Sequence, residues 1–188
     1  MRVLIACEYS GAVRREFRKR DHDAWSCDLE PAEDGSAYHI QGDAIEAAYG
    51  SQWDMMLAFP PCTHLAVSGA RWFAEKRADG RQQAALEFVR LLLDAPVSRI
   101  ALENPVSIIS TAIRPPDQII QPWQFGHGET KRTCLWLSQN LPLLTPTRTV
   151  SGRTPRVWKM APGPNRSRER SRTFSGIARA MAAQWGNP

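Results

Sequence analysis

Hydrophobic and polar positions along the chain fall into short blocks whose period keeps changing. Arg2–Cys7 is almost unbroken apolar and closes on Glu8, Tyr9, Ser10 and Gly11, the pattern of a buried strand entering a turn. Ala12–Arg20 follows with Val13 and Phe17 four apart, which predicts a helix. Further strands are predicted at Asp23–Asp28, Tyr38–Ile40, Trp53–Phe59, Arg99–Leu102 and Thr133–Leu137. Helical spacing returns over Arg81–Asp94, through Ala85, Leu86, Phe88, Val89, Leu92 and Leu93, and over Phe174–Trp185, through Ile177, Ala178, Met181 and Trp185. Alternation of this kind predicts an α/β fold, a mostly parallel sheet flanked by helices. There is no internal repeat, and residues 1–188 are expected to form a single domain.

The chemically capable residues gather at the predicted strand ends, where ligands bind in open α/β sheets. Asp28, Asp43, Cys62 and Glu103 each lie at such a place and would share one rim. Pro60-Pro61 fixes the backbone and withholds two N–H donors, so the strand must stop and Cys62 is held on a rigid loop. If that loop opens a helical turn, the Cys62 thiol is expected to have a lowered pKa and to be the reactive thiolate. The plainer alternative is a strand-ending proline turn with an incidental cysteine. Glu103, in Leu102-Glu103-Asn104-Pro105, leaves a buried strand half desolvated, which raises a carboxyl pKa and suits a proton donor. Asp28 is placed to accept from ribose hydroxyls and Asp43 from an adenine amino group, each having the alternative of a simple turn aspartate. Gly11 would let the backbone approach a cofactor. Neither G-x-G-x-x-G nor G-x-x-x-x-G-K-S/T occurs, so a cofactor with ribose and adenine but no pyrophosphate fits better.

Composition adds a compartment and a partner. The 188 residues carry 24 Lys+Arg against 19 Asp+Glu, a net charge of +5. Eight of the basic residues fall between Arg148 and Arg172, where Glu169 is the lone acid; the remaining 16 basic and 18 acidic residues leave the rest of the chain slightly acidic. With Gly152, Pro155, Pro162, Gly163 and Pro164, residues 145–172 read as a loop-like basic insert. Like charges at that density repel unless an anion is present, which points to phosphate contacts by Arg153, Arg156, Lys159, Arg166, Arg168 and Arg170. The alternative is a solvated surface loop. Cys7, Cys27, Cys62 and Cys134 are far apart and form no C-x-x-C pair, so neither a zinc ribbon nor any other metal site is expected. Cys7, Cys27 and Cys134 lie in apolar runs and read as core. Trp123, Trp136 and Trp185 also read as core. No apolar stretch approaches the roughly 20 residues of a membrane span. The N-terminus lacks a signal-peptide pattern, so a cytoplasmic location without membrane contact is expected, host cytoplasm if the chain is viral.

In order and spacing these residues resemble the DNA cytosine-5 methyltransferase family: Asp28, Gly42-Asp43, Pro60-Pro61-Cys62, then Glu103-Asn104. The resemblance runs from Met1 to about Leu137 and implies an AdoMet-dependent (Rossmann-like) methyltransferase fold with S-adenosyl-L-methionine (AdoMet) as cofactor. It implies Cys62 as the nucleophile toward C6 of a flipped cytosine and Glu103, with Asn104, as the group at N3 and the exocyclic amine. Asp28 and Leu29 would hold ribose and adenine, Asp43 and Ala44 the adenine edge, and Ser10, Gly11 and Pro61 the methionine portion. Arg132, in Thr130-Lys131-Arg132-Thr133-Cys134, matches the first arginine of the family's Gln-x-Arg-x-Arg motif, with Lys131 beside it on DNA; Cys134 stands at the second arginine. Cys7–Ala12 is glycine-poor where the family has several glycines, Thr63 replaces the usual glutamine, and Pro105 replaces valine. The basic insert occupies the place of a target-recognition domain. The implied activity is therefore methylation of cytosine C5 in DNA with low or short-site specificity, or with a protein partner supplying recognition. Small phage-encoded members share a pattern like Thr173-Phe174-Ser175-Gly176-Ile177-Ala178. Other readings are an enzyme modifying a free pyrimidine nucleotide, transfer of a non-methyl AdoMet-derived group, and an inactive DNA-binding homologue.

Overall fold

The computed structural model describes residues 1–163 and 166–187; Pro164, counted above in the basic insert, lies outside the described residues. Seven strands form one sheet: β1 (Arg2–Ala6), β2 (Asp23–Asp28), β3 (His39–Gln41), β4 (Met55–Ala58), β5 (Arg99–Pro105), β6 (Gln118–Ile120) and β7 (Thr133–Leu137). Their order across the sheet is β3-β2-β1-β4-β5-β7-β6. The first five are parallel neighbours, whereas β7 runs antiparallel to both β5 and β6. The helices are α1 (Ala12–Arg18), α2 (Ala44–Tyr49), α3 (Phe73–Ala78), α4 (Arg81–Leu93), α5 (Ile109–Ala112), α6 (Arg156–Lys159), α7 (Arg166–Ser171) and α8 (Ser175–Trp185).

The two-residue period of the central strands builds two cores. Val3, Ile5, Met55 and Leu57 point to one face with Phe17, Ile177, Met181 and Trp185; Leu4, Ala6, Met56 and Ala58 point to the other with Leu86, Val89, Leu92 and Trp136. That division is why β1 and β4 read as continuous apolar runs. The buried indoles of Trp185 and Trp136 donate to the carbonyls of Pro142 and Arg114, both at 2.8 Å. Gly176 is required where α8 begins, because any Cβ there would strike the Phe125 carbonyl; its N–H donates to His127 Nε2 at 2.9 Å.

Several sequence expectations change. Glu103 and Asn104 lie inside β5, paired with Leu135 and Cys134, rather than beyond the strand. β6 had no counterpart in the periodicity, since it is three residues long between proline-bearing turns. The basic insert is not all loop: it contains α6 and α7. Cys27 and Cys134 are buried as expected, but Cys7 is half-buried and adopts φ 60, the left-handed conformation that favours glycine. Trp123 is half-buried rather than core, with the Arg153 guanidinium 3.7 Å above its ring.

A buried polar network fixes the loops at the sheet's carboxyl end. Arg14, 1% exposed, donates to Ser26 Oγ at 2.7 Å and to both oxygens of Asp34. Ser26 Oγ in turn meets His39 Nδ1 at 2.8 Å. The Arg14 and Arg15 guanidiniums hold the Asp34 carboxyl down to about 2. Gly11, at φ 65, packs directly under the Arg14 guanidinium, which leaves no room for a side chain. Glu8 is buried, and its carboxylate accepts from the N–H groups of Val13 at 2.7 Å and Arg14 at 3.3 Å. It thereby caps α1 from outside the helix. Burial nonetheless pushes Glu8 up from 4.5 to about 7. A raised carboxyl pKa means the folded state prefers the proton, so this contribution to stability is complete below pH 4.5 and is lost as pH rises to about 7. Glu8→Gln is expected to flatten the fall in melting temperature across that interval, measured by thermal denaturation at a series of pH values.

Candidate active site

Three loops and one strand bring the singled-out residues to the carboxyl end of the sheet. After β4 the chain passes Phe59 and buried Pro60 to Cys62, whose carbonyl accepts from the N–H groups of Leu65 at 3.0 Å and Ala66 at 2.9 Å. The loop is anchored from both sides. Asn104, 1% exposed, donates its amide to the Pro60 carbonyl at 2.9 Å. Lys76, also buried, donates to the Thr63 carbonyl at 2.6 Å, and Gln82 donates to the His64 carbonyl at 3.2 Å. Ala66 bridges to Ser107 just past β5. Among the described residues, His64 Nδ1, Asn104 Oδ1 and Ser107 Oγ are buried without a hydrogen-bond partner, and all three lie on this loop or on the stretch that holds it.

The Cys62 thiol senses Glu103. Burial first, and then the Glu103 carboxylate, push the Cys62 thiol above its ordinary value, against the opposing pull of Lys131 and Arg170. The expected lowering by a helix N-terminus does not occur, because Cys62 opens a single turn and no α-helix begins until Phe73. Desolvation raises Glu103 as well, with Lys131 and the Thr133 hydroxyl acting the other way. Two adjoining groups that both favour their neutral, protonated forms are the result. Lys131 is the cation whose field reaches both. Arg132 is exposed, and the thiol that senses it is Cys134.

The other rim residues cluster around the end of β1. Asp28 ends β2, half-buried, with Oδ1 accepting from Glu30 N–H at 3.0 Å. Asp28 and Asp43 both raise the Cys7 thiol, after burial, which locates the two carboxylates beside it. Asp43 is the N-cap of α2; its Oδ1 alone accepts from Ile45 N–H at 2.7 Å and Glu46 N–H at 3.1 Å. Ala44 is buried in the first turn of α2, and Pro61 is exposed beside Cys62. Leu29 is 73% exposed at the mouth of this cluster. Ser10 is buried, its hydroxyl accepting from Ala12 N–H at 3.3 Å. Carboxylates for hydroxyl and amino donors, with an exposed apolar face beside them, fit a cationic cofactor that carries adenine and ribose. The filled cap of α1, with Glu8 on its N–H groups, does not suit a pyrophosphate.

The basic insert folds back over this rim. The Tyr9 hydroxyl donates to the Arg168 carbonyl at 2.8 Å, and the Arg168 guanidinium lies 4.7 Å from the Tyr9 ring centroid. Lys131 Nζ donates to the Arg170 carbonyl at 3.2 Å, and Arg172 pairs with Glu33. Arg166 donates to the Met160 carbonyl at 2.9 Å. Arg156 lies 3.6 Å from Glu129, and Lys159 is exposed. Beneath this cover Glu103, Lys131, Thr133, Thr173, Phe174, Ile177 and Met181 line a cavity of ≈ 10 Å³, room for one water at most. Glu8, Arg14 and Lys76 were not anticipated from sequence; the one available signal was a charged residue inside an otherwise core-facing turn, as with Arg14 between Val13 and Phe17.

No protein-family model matches the chain, and no curated protein matches it. Among solved structures, a protein provisionally designated a DNA modification methyltransferase, encoded within an E. coli prophage, is similar with a TM-score of 0.52 at 14% identity. The likeness covers 86% of this chain and 55% of that one, so this chain spans about half the length of that protein. The fold is thus the methyltransferase Rossmann-like α/β fold. Among the described residues no helix is long and apolar enough to cross a membrane.

The influence of the site groups on Cys62 is measurable without any substrate. Glu103→Gln removes the carboxylate whose charge raises the Cys62 thiol and is expected to speed its alkylation by iodoacetamide at pH values where Glu103 is ionised. Lys131→Ala is expected to slow it. Peptide mass spectrometry separates Cys62 from the other three thiols.

Proposed function

We propose that the chain transfers a methyl group from AdoMet to C5 of cytosine in DNA, with little sequence specificity. The observation that carries this reading is the pairing of Cys62, held by the Asn104–Pro60 bond, with a Glu103 whose carboxyl favours its proton. Asp28, Leu29 and Asp43 would hold the ribose and adenine of AdoMet, with Ser10, Gly11 and Ala44 shaping the adjoining turns and Pro61 flanking the methionine portion. AdoMet, when bound, supplies an electrophilic methyl group. The fold it shares with a prophage-encoded protein designated a DNA modification methyltransferase is consistent with this and with a viral origin.

The residues divide the work as follows. Cytosine C5 is a poor nucleophile until the ring's conjugation is broken. Ionised Cys62 forms a bond to C6 while Glu103 gives its proton to N3, so the charge that would build on the ring is neutralised as it forms. C5 becomes enamine-like and accepts the methyl group. Water takes the C5 proton, the Cys62 sulfur leaves as thiolate, and N3 returns its proton to Glu103, which restores the ring. Lys131 and Arg170 favour the thiolate that starts the sequence. Asn104 acts as a positioning residue, while Arg132 faces outward toward the strand that carries the base. A base in a duplex must flip out to reach Cys62, and the cavity beside Glu103 admits it only when the cover of Thr173, Phe174 and the preceding helix moves outward. Arg153, Arg156, Lys159, Arg166, Arg168 and Arg170 would offset the cost of unstacking by holding phosphates.

Incubation with methyl-labelled AdoMet and duplex DNA containing 5-fluorocytosine tests the reading. A covalent complex that survives denaturation and disappears in Cys62→Ser is the expected result; absence of transfer to any single- or double-stranded DNA would overturn it. The rate is expected to require the Cys62 thiolate and the Glu103 proton together, giving a bell-shaped pH profile that in Glu103→Gln becomes a single rise with Cys62 ionisation. For the insert, Arg166→Ala with Arg168→Ala is expected to weaken DNA binding and to lower its salt slope by up to about two.

A further inference from the structure

Within the basic insert one side chain does something the charges do not. Trp158 is 70% exposed, more open than Trp72 at 50%. It stands on α6, and α6 is fixed. Val157 is 7% exposed beneath it, and the Val157 N–H donates to Glu129 Oε1 at 3.2 Å. Glu129 itself is 4% exposed. The strand-like bridge between Glu129 and Thr154, with Thr154 N–H on the Gly128 carbonyl and Thr130 N–H on the Thr154 carbonyl, ties the same turn to the segment leading into Lys131. Trp158 is therefore presented from a rigid mount, a short way along the chain's surface from the cation that faces Cys62 and Glu103.

Its surroundings select a ligand. Arg156 and Lys159 flank it in sequence, and both are exposed. The protein's own arginines stack on two of its other accessible indoles: Arg71 lies 5.0 Å from the Trp72 centroid and Arg153 3.7 Å from that of Trp123. Among the described residues no cation covers Trp158. An open indole with basic residues on either side in the sequence is complementary to a base with its adjoining phosphates, since every base has a π-face and basic groups near it can reach phosphate. We infer that Trp158 is a stacking platform for an unpaired nucleobase, with Arg156 and Lys159 on the adjoining phosphates. This rests on the DNA reading above and extends it: the platform would hold a strand opened around the target.

Equilibrium binding of the full chain to a single-stranded oligonucleotide and to a duplex with one unpaired base tests it, each over a range of salt concentrations. Trp158→Ala is expected to lower affinity for both about tenfold without changing the salt slope, since stacking releases no counterions. Trp158→Phe should recover most of the loss, and Arg156→Ala or Lys159→Ala should each lower the slope by about one. Unchanged affinity in Trp158→Ala, or an equal loss in Trp158→Phe, would overturn the platform and leave the indole to a protein partner. If the wild-type chain binds neither DNA, the platform and the DNA reading fall together. If DNA is bound through Trp158 but the 5-fluorocytosine complex never forms, the platform stands and the cytosine-5 chemistry alone fails.

Discussion

The amide of Asn104 donates to the Pro60 carbonyl, and through that bond the Cys62 loop and β5 become one piece. Its strength comes from where it is. Both partners are buried, Asn104 at 1% exposure, so water cannot replace the bond if it breaks. Pro60 and Pro61 add stiffness on one side, and the antiparallel pairing of Glu103 and Asn104 with Leu135 and Cys134 adds it on the other. Strand alternation then does the rest: Asn104 points toward the loop while Glu103 points to the opposite face, where Thr133, Ile177 and Met181 enclose it. Adjacent residues in one strand thus serve different ends, one to hold the thiol loop and one to line the small cavity under α8.

A comparable logic governs the cofactor side. Arg14 is buried beneath the turn that carries Ser10 and Gly11, and its guanidinium joins that turn to β2 through Ser26 and to the β2–β3 loop through Asp34. Asp28 and Leu29 lie between those two anchor points. Removing Arg14 would leave Asp34 to Arg15 and Ser26 to His39 and cut the link between the two loops, so the loops' geometry and the burial of the charge depend on each other. Gly11 belongs to the same arrangement; its missing side chain makes room for the guanidinium rather than for a ligand.

Much of this was legible in the sequence. β2 and β7 fall at the boundaries that alternation predicts, and the apolar spacing of α4 and α8 locates both core helices within a residue or so. The rim positions of Asp28, Asp43 and Cys62 follow from where strands must stop. The protonation state of Cys62 was not legible, because it depends on whether the turn after it becomes a helix and on a carboxylate forty residues away. Glu8 and Arg14 were equally opaque, since a charged residue is buried only when its partners arrive, and Asp34 and Ser26 come from other elements. The fate of the basic insert was illegible for the same reason. Its density of like charge called for an external anion, whereas Glu33, Glu129, Tyr9 and Trp123 already answer part of that charge.

That internal neutralisation bears on specificity. Arginines that are paired with Glu33 and Glu129 or stacked on Tyr9 and Trp123 hold fixed positions, and fixed guanidiniums cost less entropy when they meet a phosphate than free ones do. Phosphate contacts set register without reading sequence. On the proposed reading, an insert built from such groups, and tied to the Tyr9 and Lys131 loops, would grip a strand close to the site without placing an element in a groove deep enough to distinguish base pairs. On the proposed reading, discrimination would then be left to the pocket beside Glu103 and to the one base that enters it, and the surrounding sequence would matter only through how readily that base leaves its stack.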